Sequence, residues 1–87
     1  MHEFSLMADL FRKIEKISQE NGGSKIVGVK VKLGALSHIT PDHFAEHFEE
    51  FSKGTSAEGA DLEVEQLDDT KDPNAQDILL DSVKVDA

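Results

Sequence analysis

A histidine at position 2 places an imidazole one residue from a free α-amino group. The amine, the intervening backbone nitrogens and the imidazole can close fused chelate rings around one metal ion. Such a near-planar set of nitrogen donors suits Ni(II) or Cu(II) better than tetrahedral zinc. Cu(II) binds more tightly than Ni(II) by the usual affinity order, so selectivity for nickel would rest on metal supply. The donors must lose protons to bind, which makes such a site pH-dependent. Glu3 can hydrogen-bond the imidazole, orient it and compensate charge. An acid there equally suits the positive end of a helix dipole. Met1, His2 and Glu3 are thus the first candidate metal residues, although a histidine at position 2 also arises by chance and its place alone decides nothing.

A second candidate is the pair His43 and His47, spaced i, i+4 so that a helix would put both imidazoles on one face. This is the spacing of the helical histidine pair in zinc proteases, without their glutamate base in the matching order. Glu46 and Glu50 are close in sequence. The same spacing suits two ordinary histidines bordering a core. His38 stands in a loop without a sequence partner. No serine sits in a G-x-S-x-G context, and neither a P-loop nor a dinucleotide fingerprint is present. The acids are too dispersed to name an acid–base pair, so nothing argues for an enzyme. Cysteine is absent, which excludes disulfides, thiolate zinc sites and cysteine nucleophiles.

The elements that must carry these residues follow from periodicity. Leu6, Met7, Leu10, Phe11, Ile14 and Ile17 recur at helical spacing, predicting a helix over about 5–21 with Ser5 as N-cap and Asn21-Gly22-Gly23 as its stop. Val27, Val29, Val31 and Leu33 alternate with Gly28, Lys30 and Lys32, a strand with Val27 to Leu33 on its apolar face. Gly34 to Ile39 reads as a loop. Thr40-Pro41-Asp42 opens a second helix over about 41–52, with Phe44, Phe48 and Phe51 on its core stripe. Leu62 and Val64 mark a second strand ending at Leu67. The stretch 68–77 is an acidic loop, and 78–85 a third strand. In that strand Val83 and Val85 share one face and Ile78 and Leu80 the other, which a bulge or a cover on both faces would reconcile. The order α-β-α-β-β predicts an α+β fold: a two-layer sandwich with two helices on one face of a three-stranded mixed sheet. Strands one and two, if paired, should be parallel with a right-handed crossover. The last two should be antiparallel across the loop.

At 87 residues, 38% hydrophobic, the chain reads as one domain, 1–87. Its net charge is −9, concentrated in residues 60–87, which hold nine acids and two bases. Such a chain repels phosphate backbones, which argues against nucleic acid, and attracts divalent cations and basic surfaces. A solvated acidic face that keeps a small protein in solution explains the charge as well. No apolar run approaches the ~20 residues of a membrane span, and residues 1–11 lack the pattern of a secretory signal, so a cytoplasmic location is expected.

The opening Met1-His2-Glu3-Phe4-Ser5-Leu6-Met7 resembles that of the HypA/HybF nickel metallochaperones. Val29-Lys30-Val31-Lys32-Leu33-Gly34-Ala35-Leu36-Ser37 is similar to that family's first strand and its Gly-x-Leu-Ser turn. Pro41 through Thr55, Ala57 through Val64, and Ser82 through Asp86 follow the family in order. The resemblance implies a Ni(II) site at the Met1 amine, His2 and the backbone nitrogens of His2 and Glu3. It implies delivery of nickel to the large subunit of nickel–iron hydrogenase, and in some organisms to urease, with the GTPase HypB as partner. The family also carries a zinc domain built on two Cys-x-x-Cys pairs between its last two strands. Here only the acidic loop 68–77 occupies that place, so no zinc is expected. The histidine pair departs from the family, where those positions are mostly apolar or small. A second reading keeps the fold without metal transfer: an interaction module docking a basic surface through the acidic 61–86 region. The exposed edge of the last strand offers a surface for homo-oligomer formation.

Overall fold

The apolar stripe of the N-terminal segment winds helix α1 over His2–Glu20. The computed structural model describes the backbone of residues 2–86 and the side chains of residues 5–86. Met7, Leu10, Phe11 and Ile14 are buried. Ser5, expected as the N-cap, is an exposed residue inside the helix, because the three residues before it already continue the helical backbone. The far end closes as expected. Gly22 and Gly23 take φ of 75° and 80°. Gly22 N donates to Gln19 O at 3.1 Å and Gly23 N to Ser18 O at 2.8 Å, the paired bonds of a glycine-terminated helix.

Strand β1 covers Ile26–Leu33, helix α2 Pro41–Ser52, β2 Asp61–Gln66 and β3 Ile78–Val85. Thr40 caps α2: its backbone is extended and its Oγ1 accepts from His43 N at 3.2 Å, with Pro41 in the first turn. The sheet order is β2-β1-β3, with β1–β2 parallel and β1–β3 antiparallel. This is the expected α+β sandwich. A single core joins both helices to Ile26, Val29, Val31, Leu33 and Ile78. The last two strands do run in opposite directions, but they do not pair: β1 lies between them, because the chain after β2 crosses the end of the central strand before turning back.

Two register shifts decide which residues face the helices. In β1, Ile26 pairs with Val85 and Gly28 with Lys84, so Val27 is the extra residue. Ile26 therefore turns into the core at 0% exposure and Val27 out at 39%, the reverse of the alternation expected from Val27 onward. In β3, Ser82 pairs with Lys30 and Leu80 with Val31, leaving Asp81 extra. That bulge sets Ile78 and Leu80 on the same face as Val83 and Val85, which resolves their conflicting parity. Asp81 lands on the open face, 3.7 Å from both Lys30 Nζ and Lys32 Nζ, while Glu63 is 3.6 Å from Lys30.

The segment between β2 and β3 is strapped across the end of β1. Leu67 N donates to Leu33 O, Gly34 N to Asp77 O and Leu36 N to Ala75 O, at 2.9, 2.9 and 2.7 Å. A Cβ on Gly34 would stand 2.2 Å from Ala75 O, so this crossing requires glycine.

Candidate metal centre at the helix starts

The two helices run in the same direction. Each lies antiparallel to β1, α1 because it precedes β1 through a short turn, and α2 because it returns the chain to a parallel β2. Their far ends are tied together by polar side chains. Ser56, four residues beyond α2, donates from its N to Glu15 Oε1 at 2.9 Å and from its Oγ to Glu15 Oε2 at 3.1 Å. Ser18, buried at 1% exposure, donates to Ser24 O at 2.7 Å and stands 3.3 Å from Ser56 Oγ. The starts of both helices consequently share the opposite end of the molecule, where β1 finishes. Ser18 was not readable as a core residue: only the stripe position, one turn beyond Ile14, could have marked it.

α1 begins at His2, so the amide nitrogens of His2 and Glu3 belong to its first four. Those amides have no intrahelical acceptor, since no carbonyl lies four residues before them. Backbone nitrogens without an intrahelical acceptor thus stand at the start of α1. The side chains of His2 and Glu3, and Met1 altogether, lie outside the described residues.

His43 and His47 are brought together on α2, with ring centroids 4.4 Å apart and ring planes at 49°. His43 is exposed and His47 half-buried. His43, His47 and Phe51 follow one another at i, i+4, one row along the helix. Phe51 stacks on Phe11 of α1 at 5.7 Å, and Phe48 meets the same ring at 4.9 Å. The histidine row therefore runs along the flank of α2 that faces α1. His38 is exposed in the turn after β1, held at φ 62°. Among the described residues no group of three or more His, Cys, Asp or Glu side chains is gathered as a metal site. The acids of β2 and β3 are spread over the open face of the sheet, where Glu63 and Asp81 are engaged by lysines. No helix among the described residues is long and apolar enough to cross a membrane.

A family model described as hydrogenase/urease nickel incorporation, metallochaperone, hypA matches residues 1–71. The chain belongs to the HypA family. Hydrogenase maturation factors HypA are among its similar relatives. That of Desulfitobacterium hafniense (strain DSM 10664 / DCB-2) is 40% identical over 67 residues, covering 77% of this chain and 59% of the relative. That of Lawsonia intracellularis is 42% identical over 67 residues, covering 77% and 57%, and that of Aquifex aeolicus 39% over 69 residues, covering 77% and 60%. The chain thus spans just under three-fifths of the length of the first two and about that share of the third. The HypA match ends at residue 71, inside the segment that crosses β1. It includes both helix starts, β1 and β2.

Proposed function

We propose that this chain is a nickel carrier that holds Ni(II) at the start of α1 and passes it on during hydrogenase maturation. The donors are the Met1 amine, the His2 imidazole and the backbone nitrogens of His2 and Glu3, with the Glu3 carboxylate orienting the imidazole. The observation that carries the reading is the start of α1 at His2 within a family match that begins at residue 1. A helix begun there leaves its first amides free for a metal. Nickel is cargo, and the chain acts as carrier rather than catalyst, in the cytoplasm. A HypB-type GTPase and the hydrogenase large subunit are the partners implied by the family resemblance, and urease is a further client in the same sense. The chain has no cysteine, so the family's four-thiolate zinc site has no ligands in it.

The test is a Ni(II) titration of untagged protein beside His2→Ala, read by d–d absorbance. The native protein should develop the yellow band of a planar nickel site. His2→Ala should weaken Ni(II) binding at least ~10-fold, or about 1.4 kcal/mol. Residues added before Met1 should do the same, because they displace the amine. Equal binding by native, His2→Ala and extended proteins would exclude the N-terminal site.

A further inference from the structure

We propose that His43 and His47 form a second metal site, a two-imidazole clamp for a divalent transition ion on the flank of α2 that faces α1. Both of its imidazoles come from α2. Imidazole nitrogens bind zinc, nickel and copper, at about 2.0–2.1 Å for zinc. Two nitrogens sharing one such ion stand at most about 4.2 Å apart. Centroids separated by 4.4 Å allow that without moving the helix. The rings are tilted rather than stacked face to face, so their edges can converge on one point. His43 reaches solvent, which gives an ion a route in. Glu46, Glu49 and Glu50 line a shallow groove with His47 and supply negative potential around it. On Ni²⁺, two imidazoles leave positions for water and other oxygen ligands, and such a mixed shell is octahedral and readily exchanged, unlike a planar four-nitrogen chelate.

The position adds a consequence. The i, i+4 row from Phe51 through His47 to His43 leads from the Phe11 contact toward the start of α2, and the start of α1 lies at the same end. The pair and the start of α1 thus lie toward one end of the molecule.

The experiment uses Ni²⁺ as probe on four full chains: native, His2→Ala, His43→Ala/His47→Ala, and the variant carrying all three changes. Metal per chain is counted at saturation, and the ¹H resonances of the imidazoles are followed. Octahedral Ni²⁺ is paramagnetic and broadens its ligands, whereas planar Ni²⁺ is diamagnetic. Two ions should load the native chain and one the His2→Ala chain, with the His43 and His47 signals broadened in both. The triple variant should lose this binding at least tenfold. If His2→Ala takes up no ion, or if His38 broadens as fast as the pair, the clamp is overturned while the N-terminal site stands. If the pair binds and the native chain shows no yellow band, the N-terminal site fails and the clamp stands. His43 and His47 leave the Phe44 and Phe48 core untouched, so circular dichroism of all four chains should agree.

Discussion

Gly34 shows how a single side chain can decide a crossing. Its backbone donates to Asp77 O, and any Cβ would stand 2.2 Å from Ala75 O. Gly34→Ala must therefore push the strap off the end of β1. We expect it to cost roughly 2–3 kcal/mol, as overpacking against fixed backbone does, measured as a lower urea midpoint with an unchanged slope. Equal midpoints for variant and native protein would show that the strap is free to shift. The sequence marked Gly34 as the start of a loop and as the glycine of a Gly-x-Leu-Ser turn, but nothing local to it announces the distant segment at Ala75 and Asp77. The same limit applied to Ser18 and Glu15, whose partner Ser56 is distant in the chain. The histidines were legible in part. Their pairing follows from i, i+4 spacing, but the side of α2 they occupy depended on the Phe11 contacts.

Among the elements, β3 carries the clearest lesson. The opposed parities of its two halves pointed to a bulge, and the register places that bulge at Asp81. A strand so built should survive losing its extra residue. Deletion of Asp81 leaves Ile78 and Leu80 opposite Leu33 and Val31, still inward, and removes only the partly exposed carboxylate between Lys30 and Lys32. Surface ion pairs contribute about 0–1 kcal/mol each. Thermal unfolding should therefore stay cooperative, with a loss within about 2 kcal/mol. Deleting Lys32 from β1, which has no spare residue there, should turn Leu33 outward and abolish folding. If both deletions behave alike, the register assigned to β3 is wrong. The bulge at Val27 had no such signal. Val27, Val29 and Val31 alternate faultlessly in sequence, and only the pairing with β3 reveals that Ile26 is the core residue.

For the molecule as a whole, the strap separates what is fixed from what can vary. Ala75 and Asp77 are hydrogen-bonded to the turn after β1, while Asp69, Thr70, Lys71 and Pro73 are exposed. An insertion between Thr70 and Lys71 should be tolerated. Doubling a loop costs only about 0.6 kcal/mol in closure entropy, so ten Gly/Ser residues there should shift the urea midpoint by less than about 1 kcal/mol. A larger loss would mean that the tip is part of the packed structure. The layer architecture was legible because each element carries its own apolar period. The strand order was not, since periodicity does not say that the chain must pass over β1 before making its last strand.

The shared direction of α1 and α2 has an electrical meaning. Each helix presents roughly half a positive elementary charge at its beginning, and both beginnings lie at one end. The backbone alone thus opposes a bare divalent cation there, against the attraction of the chain's net charge of −9. Asp42 in the first turn of α2 offsets part of the field. In the proposed nickel site, amides that give up protons as the ion arrives would offset more of it. The nickel site proposed there would hold its ion as a charge-neutralised complex, and protons returned to those nitrogens would restore the field that expels it.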